Sequence, residues 1–443
     1  MKKITVVGAG LAGCEAAWQI ANAGIKVELI DMKPSKKSAA HHSDKFAELV
    51  CSNSLKAARL DSAAGLLKEE MRYLGSLCLE AASKCSVAAG GALAVDREIF
   101  SDYITEKIKN HPNIMVTEKT VKSLPSEGIS VIATGPLTDG ELAESISKLS
   151  DKGNLSFYDA AAPVVTADSI DFERAFYASR YDKGDSDYIN CPMNKEEYTL
   201  FHSELVKAES AKLSEFDKPL KVYEGCMPIE VLAKRGEDSI RFGPLKPVGL
   251  RDPKTGHRPW AVVQLRRENA AGTMFNLVGF QTNLKFGEQK RVFSMIPGLQ
   301  NAEFVRYGVM HRNSFINSPE LLNKSLSLKN NPDLFFAGQI TGVEGYMESA
   351  ASGIIAGINA ANRYNKRDSL VLPEFTMIGA LINYICDKTV VDFQPMGANF
   401  GVLPVLDVQI RDKRERYAAL SQRSIEWFSK LFNKVGDKYE NSN

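Results

Sequence analysis

The stretch that decides the fold is Ile4–Gly13, which reads ITVVGAGLAG. Its first four residues are all β-branched, a composition typical of a buried parallel strand. The other six form a complete G-x-G-x-x-G turn, Gly8-Ala9-Gly10-Leu11-Ala12-Gly13. A helical pattern then runs to Ala23 and is followed by Gly24, the residue type that commonly ends a helix. We therefore expect a strand, a glycine turn and a helix in direct succession.

A second strand is predicted at Lys26–Ile30, and Asp31 stands at its end, about twenty residues after the glycines. In dinucleotide-binding folds the glycines permit a tight turn, close approach of a pyrophosphate and close packing of helix on strand. The helix N-terminus faces the phosphates, and the carboxylate takes a ribose hydroxyl. A lone glycine motif is weak support, but the whole pattern predicts a dinucleotide site. It does not by itself separate FAD from NAD.

Two later segments favour FAD. The predicted strand Ile129–Ala133 ends in Ala133-Thr134-Gly135, the turn by which two-domain flavoproteins return the chain to the nucleotide site. A further strand near residue 335 is followed by the candidate cofactor residues Gly338, Gln339, Glu344 and Gly345 and by a small-residue helix at about 347–361. This resembles a second flavin motif, and a merely well-packed helix is the competing interpretation. The sequence contains no second G-x-G-x-x-G, so a separate nicotinamide domain is not expected.

The predicted fold class is α/β: a Rossmann-like FAD domain of the two-dinucleotide-binding type with an inserted mixed α/β substrate domain. The predicted parts are 1–158 (FAD domain, first part), 159–330 (inserted substrate and RNA-binding domain) and 331–443 (FAD domain, second part, with a C-terminal helix). Helical patterns are expected at about 55–79, at 97–110 after the cap Asp96, and at 411–430 as a basic amphipathic helix.

Composition limits the function classes. The chain has 443 residues, 44% hydrophobic and 25% charged, with a net charge of +1, so a nucleic-acid partner would need a local basic surface. The seven cysteines show no CxxC pair and no zinc-like Cys/His spacing, which predicts free thiols in a reducing compartment and no metal. No stretch reaches the roughly 20 apolar residues of a membrane span. We expect a soluble, cytoplasmic protein without a membrane partner.

Two cysteines differ from the others in their surroundings. Cys51 lies among small polar residues in ELVCSNS, which suggests a turn close to a ligand. Cys226 lies in YEGCMPIE, where the flanking Gly225 and Pro228 suit an exposed, rigid loop. Free cysteines are usually small buried hydrophobes, and that interpretation stays open for both.

A basic stretch follows in the middle of the chain. Its cations are Lys246, Arg251, Lys254, Arg258, Arg266 and Arg267, with His257 and Trp260 interleaved. Such a mixture suits phosphate contacts and base stacking, but a solvated β-hairpin is an equally good interpretation. His311 is either a polar site residue or, as a lone histidine usually is, structural.

Several blocks of the sequence closely resemble the bacterial family of folate- and FAD-dependent tRNA (uracil-5-)-methyltransferases. They include GAGLAGCEAA from Gly8, FAELVCSNSL from Phe46, YEGCMPIE from Tyr223, FAGQITGVEGY from Phe336 and FQPMGANFG from Phe393. The match covers essentially the whole chain. A larger flavoprotein, which modifies the wobble uridine of tRNA, shares the opening but has an extra C-terminal helical domain. The family often has Glu where this sequence has Asp31, a chemically mild departure at the ribose contact.

The resemblance implies a reaction and residue roles. Members methylate C5 of the T-loop uridine of tRNA, at position 54, with carbon from 5,10-methylenetetrahydrofolate and electrons from FAD that NAD(P)H reduces again. Cys226 would be the nucleophile that adds to C6, and Cys51 would lie near the flavin. His311 would stack on the folate, and the basic stretch with the terminal helix would hold the tRNA.

Three other functions remain open from sequence. The same chemistry on a ribosomal-RNA uridine would need the same active site. A non-catalytic RNA-binding flavoprotein is disfavoured because both cysteines are present. A small-molecule flavin oxidoreductase would make the basic stretch a plain solvated surface. The oligomeric state and the choice between NADH and NADPH are not set by the sequence.

Overall fold

The computed structural model describes residues 3–38, 40–150, 155–182, 186–211, 227–390 and 393–440. The strands of this part are β1 (Ile4–Val7), β2 (Val27–Asp31), β3 (Ser54–Ala57), β4 (Ser86–Val87), β5 (Ala92–Val95), β6 (Ile114–Glu118), β7 (Ser130–Ile132), β8 (Leu155–Ala160), β9 (Val164–Thr166), β10 (Phe176–Ala178), β11 (Tyr188–Met193), β12 (Ala261–Arg267), β13 (Met274–Leu277), β14 (Phe304–Arg306), β15 (Met310–Phe315) and β16 (Leu334–Phe336). The helices are α1 (Leu11–Asn22), α2 (Ala63–Tyr73), α3 (Leu77–Lys84), α4 (Arg97–Asn110), α5 (Gly140–Ser147), α6 (Lys195–Lys207), α7 (Ile229–Ala233), α8 (Phe286–Phe293), α9 (Ser318–Leu321), α10 (Tyr346–Tyr364), α11 (Met377–Cys386) and α12 (Lys413–Glu440).

The first sheet is parallel and has the strand order β16-β7-β1-β2-β6. Its central strand β1 pairs with β2 on one side, where Val6 is opposite Leu29, and with β7 on the other, where Val6 is opposite Val131. All three of these side chains are buried, as expected for a parallel sheet covered on both faces. The strand order reverses at β1, and in such sheets ligands bind at the carboxyl ends beside that point.

Helices α1 and α10 cover this sheet, and their backbones are in direct contact. A methyl group added at Gly353 would lie 2.2 Å from the carbonyl oxygen of Ala12, so only glycine permits this approach. One turn further along both helices, Gly357 faces Ala16 in the same way. The small residues noted in the sequence therefore bring the N-termini of both helices to the carboxyl edge of the sheet.

The second sheet is antiparallel and has the order β10-β11-β12-β13-β9-β14. It carries its own buried cluster, drawn from residues 165–302, in which Phe280 packs edge-on against Phe293. The other buried cluster draws on residues 4–146 and 315–428. The pair β8–β15 lies between these two parts in the sequence. The proposed boundaries at 158 and 330 stay a prediction.

The structure confirms some predicted elements and corrects others. Helix α4 spans the expected residues, and the Asp96 carboxylate accepts the N–H groups of Glu98 and Ile99. The helical stretch predicted at about 55–79 is wrong at its start, where β3 lies, and it consists of two helices, α2 and α3, which the Ser62 and Ser76 side chains cap. The terminal helix is present as α12. Every helix in the described part of the chain is too short or too polar to cross a membrane.

Candidate active site

The glycine turn packs β1 directly against the start of α1. A methyl group at Gly13 would lie 1.7 Å from the carbonyl oxygen of Gly8, so the third glycine is required for this contact. The space in front of Gly10 is open to at least 4 Å, as the approach of a phosphate requires. Asp31, at the end of β2, accepts the N–H of Ala9 at 2.6 Å and the N–H of Lys33 at 2.9 Å. The carboxylate therefore fixes the turn from the neighbouring strand.

The ends of β7 and β16 meet at the same edge of the sheet. After β7, the Thr138 hydroxyl donates to Thr134 Oγ1 at 2.7 Å and fixes the second predicted turn. After β16, the N–H of Gly338 donates to the Ser352 hydroxyl at 2.7 Å, and Gln339 Nε2 donates to Glu344 Oε2 at 2.5 Å. Both contacts tie this segment to α10 or to the loop before it.

These segments surround one cavity of about 1200 Å³. The predicted cofactor residues that line it are Gly8, Gly10, Leu11, Ala12, Asp31, Thr134, Gly135, Gly338, Gln339, Glu344 and Gly345. Ala9 and Gly13 are not on its surface, since they lie within the turn behind it. The volume exceeds the range of about 300–1,000 Å³ that is usual for one drug-sized ligand. The glycine turn, the open face at Gly10 and two helix N-termini suit a dinucleotide.

Cys51 lies on the wall of this cavity, next to the first residue of α10. The Tyr346 hydroxyl oxygen accepts the N–H of Cys51 at 2.8 Å and lies 3.0 Å from its sulfur. Burial raises the pKa of Tyr346 well above its ordinary value, and the adjacent Cys51 adds to the shift. The phenol therefore stays protonated at neutral pH and can donate to the sulfur of a thiolate.

Two arginines from distant parts of the chain hold the loop around Cys51. Arg97 Nη1 donates to the carbonyl oxygens of Leu49 and Val50 at 3.0 and 3.2 Å. Arg266 Nη2 donates to the Ser52 hydroxyl at 2.8 Å. The Arg97 guanidinium is itself paired with Glu268 at 2.5 Å. Residues of α4 and of β12 in the second sheet thus position the cysteine together.

Comparison with known proteins decides the family. A family model described as "Glucose inhibited division protein A" matches residues 3–368. A protein of Acetivibrio thermocellus named "Methylenetetrahydrofolate--tRNA-(uracil-5-)-methyltransferase TrmFO" is 58% identical over 431 residues, which cover 97% of this chain and 99% of that protein. A protein of Desulfitobacterium hafniense with the same name is 60% identical over 425 residues, covering 96% and 97%. This chain belongs to the TrmFO family.

A solved structure of Aquifex aeolicus GidA has the same fold. It superposes with a TM-score of 0.69 at 19% identity, over 99% of this chain and 76% of that one. At this identity the likeness concerns the fold alone. Together with the TrmFO membership, it confirms the predicted family, the FAD-binding Rossmann-type fold and the class of enzyme.

Two predicted residues of this TrmFO family member are not described with their side chains. Cys226 lies outside the described residues, which resume at Met227. The N–H of Ile229 donates to the carbonyl oxygen of Gln281, and Gln281 lines the cavity. The backbone of His311 lies in β15 opposite Asp159, and its side chain is likewise outside the described part.

The basic stretch divides into two groups. Lys246, Arg251, Lys254 and Arg258 are exposed and precede β12, and the Lys254 ammonium pairs with Glu173 at 3.1 Å. Arg266 is buried in β12, where it holds Ser52 and Asn53, and Arg267 is half-buried. Residues 246–260 precede β12, and only the end of the stretch lies in this strand, which pairs with β13 as a hairpin and with the distant strand β11 on its other side.

Sequence reasoning did not single out several residues around the site. Tyr346 stands within a quoted family block, which was its only signal. Lys56 lines the cavity with a left-handed backbone (φ 63°), and its ammonium pairs with the buried Glu348 carboxylate at 2.7 Å. Arg241 stacks on Trp260 with 3.8 Å between guanidinium carbon and ring centre, beside Phe242, which is 70% exposed. Among the described residues no cluster suits a metal ion.

Proposed function

We propose that this enzyme methylates C5 of the T-loop uridine at position 54 of tRNA. The carbon donor is 5,10-methylenetetrahydrofolate, and NAD(P)H regenerates the reduced FAD. The observation that carries the proposal is a thiol, Cys51, held by Tyr346 on the wall of a cavity whose other wall is a dinucleotide turn. The names of the related proteins give the same donor, acceptor and atom.

The chemistry requires an activated cysteine, because C5 of uracil is a weak nucleophile. A thiolate of Cys226 that adds to C6 converts the ring into an enolate, whose C5 attacks the one-carbon unit. Removal of the C5 proton then expels the tetrahydrofolate nitrogen and leaves an exocyclic methylene group on a ring that is still bonded to Cys226. Reduction of that methylene to a methyl group releases the Cys226 thiolate. When bound, FAD supplies the two electrons that, with a proton, complete the methyl group. We assign the first thiolate to Cys226 and the removal of the C5 proton to Cys51.

The arrangement around Cys51 supports a role in proton transfer. The Tyr346 hydroxyl stabilises a negative charge on the sulfur, and Arg266 lies close enough for its charge to interact with Cys51. Both effects favour the thiolate, which is the form able to accept a proton. Arg97 donates to the carbonyl oxygens of Leu49 and Val50 and so keeps the Cys51 loop in place during proton transfer.

The exposed cations before β12 form the surface to which we assign the tRNA backbone. Lys246, Arg251 and Arg258 are exposed and precede Trp260 in the sequence. The Trp260 ring is covered by Arg241 and approached by Lys195 at 5.4 Å. Exposed cations around aromatic rings suit phosphates and unstacked bases. A basic terminal helix, α12, adds Lys413, Arg414 and Arg416.

The test is an assay of the purified FAD-loaded protein with the folate donor, NADH or NADPH, and an unmodified tRNA transcript. Nucleoside analysis should show 5-methyluridine, absent without folate and absent from a transcript with cytidine at position 54. Cys226→Ala should abolish the product, whereas Cys386→Ala, which removes a half-buried thiol outside the cavity, should not. Product on ribosomal RNA but not on tRNA would instead identify the enzyme as a ribosomal-RNA methyltransferase.

A further inference from the structure

One aromatic side chain outside the cavity has no part in the proposed chemistry. Phe242 is 70% exposed, the largest exposed fraction of any aromatic side chain in the part of the chain that the structure describes. It lies in the segment between α7 and β12 and does not line the cavity. A single exposed apolar residue is ordinary on a protein surface, so its neighbours decide whether it has a function.

The turn that carries Phe242 is fixed by hydrogen bonds at both ends. The N–H of Phe242 donates to the carbonyl oxygen of Asp238 at 2.9 Å, and the Asp238 carboxylate accepts Nη1 of Arg241 at 3.4 Å. At the other end, the N–H of Val262 in β12 donates to the carbonyl oxygen of Leu245 at 3.0 Å. The exposed ring is therefore held in place before any ligand arrives, which reduces the entropy lost on binding.

Cations lie against this ring and against the neighbouring indole. The guanidinium carbon of Arg241 lies 5.1 Å from the centre of the Phe242 ring and 3.8 Å from that of Trp260. Arg241 Nε donates to the carbonyl oxygen of Trp260 at 3.0 Å, and Lys195 Nζ lies 5.4 Å from the Trp260 ring centre. The centre of a protein–protein interface is poor in charged residues, whereas an anionic chain with flat rings matches both the cations and the open aromatic face.

The same turn is in contact with a segment of the cavity wall. A methyl group added at Gly279 would lie 2.7 Å from Cβ of Pro244, two residues after Phe242. Gln281, two residues after Gly279, lines the cavity. Because neighbouring Cα atoms are 3.8 Å apart, the Cα atoms of Phe242 and Gln281 are separated by about 20 Å at most. One loop of a nucleic acid can therefore reach the cavity and the exposed ring together.

We propose that Phe242 stacks on an unpaired base of the tRNA loop whose uridine enters the cavity, and that Arg241 holds the ring in position. The inference rests on the proposed function. A base that reacts inside a cavity has to leave its stack, so the bases beside it lose a stacking partner. An exposed aromatic ring replaces that partner, and it does so for any base because every base has a π face.

The test measures filter binding of the FAD-loaded protein to an unmodified tRNA transcript and to transcripts with one abasic nucleotide at each other position of the T-loop. Phe242→Ala should weaken binding of the intact transcript about tenfold or more, Phe242→Trp should retain it, and the non-planar Phe242→Leu should resemble Ala. One abasic transcript should bind the original protein as weakly as Phe242→Ala binds the intact one, with no further loss when both changes are combined. FAD content and NADPH oxidation without RNA should not change. Met115→Ala is the control, since it removes a side chain that is 52% exposed from the edge strand β6.

Three outcomes would overturn the inference: normal tRNA affinity of Phe242→Ala, the same additional loss for Phe242→Ala with every abasic transcript, or full recovery by Phe242→Leu. The first would leave the ring free for a protein partner, and the other two would show an apolar contact without base stacking. The proposed function fails separately, if the original protein produces no 5-methyluridine. An enzyme that makes 5-methyluridine while Phe242→Ala binds tRNA normally would retain the function and lose only the role of Phe242.

Discussion

The hydroxyl oxygen of Tyr346 lies 3.0 Å from the sulfur of Cys51, and it accepts the backbone N–H of the same cysteine at 2.8 Å. The two residues are 295 positions apart in the sequence. Tyr346 opens α10, whose N-terminus lies at the carboxyl edge of the parallel sheet. The helix whose first turn lines the cavity therefore also positions the cysteine and places a hydroxyl against its sulfur.

Replacing Tyr346 by Phe removes this oxygen and keeps the ring. The N–H of Cys51 loses its acceptor and a thiolate loses a donor, so we expect 5-methyluridine formation to fall about 10- to 100-fold, equivalent to roughly 1.5–3 kcal/mol. FAD content should be unchanged. The rate of 5-methyluridine formation in a single turnover measures the effect. Tyr103→Phe, which removes a hydroxyl bound to Glu80 outside the cavity, should leave the rate unaltered. A Tyr346→Phe enzyme of normal rate would exclude this role.

The contact between α1 and α10 predicts a second result. Gly353→Ala places a methyl group 2.2 Å from the Ala12 carbonyl oxygen, so the two helices must separate or the chain must distort. We expect a loss of stability of about 1–3 kcal/mol and a lower content of bound FAD, because the glycine turn moves with α1. Thermal unfolding and the flavin absorbance per protein measure both. Gly287→Ala on α8, where the added methyl meets nothing within 4 Å, should be neutral or slightly stabilising.

Much of the cofactor cavity could be predicted from the sequence because its determinants are local. The turn at Gly8–Gly13 and the carboxylate of Asp31 depend on strand and helix patterns of a few residues, and parallel strands bring their ends together. The cap at Asp96 followed from the same kind of signal. In contrast, the helix predicted at 55–79 overlooked the caps Ser62 and Ser76, which divide an apolar pattern that is otherwise continuous.

The arrangement around Cys51 could not be predicted in the same way. Arg266 looked like one more cation of a basic surface, and only the pairing of β12 in the centre of the second sheet buries it against Ser52.

The buried carboxyl group of Glu70 predicts a pH dependence of stability. It accepts the N–H groups of Met377 and Ile378, which begin α11, and the hydroxyl of Ser424 in α12. Burial raises the pKa of Glu70 from 4.5 to about 7 in the folded protein, although these hydrogen bonds oppose the shift. The folded state therefore retains a proton that the unfolded chain releases above pH 4.5. This contribution to stability is complete below that pH and is lost as the pH rises through 7.

Glu70→Gln should remove this dependence, since the amide stays neutral. Between pH 5 and 8 we expect the stability of the variant to rise relative to the original protein by up to about 3 kcal/mol, from roughly 1.4 kcal/mol for each unit of pKa. Denaturant unfolding at a series of pH values measures the difference. Glu69→Gln, at a more exposed position paired with Arg72, should follow the original protein. If the free energy of unfolding changed with pH in the same way for Glu70→Gln and the original protein, Glu70 would not be the group responsible.

The two groups of cations in the basic stretch predict different effects on RNA binding. The combined change of Lys246, Arg251 and Arg258 to Gln removes three exposed charges. If these contact phosphates, the slope of log affinity against log salt should decrease by about 2–3, with weaker tRNA binding at low salt. Arg266→Gln removes a buried charge of the same stretch, so tRNA affinity should stay constant while methylation falls, because Ser52 loses its donor beside Cys51. Filter binding at several potassium chloride concentrations, together with nucleoside analysis, separates the two effects. Equal loss of affinity in both variants would place the RNA surface on β12 and refute the division.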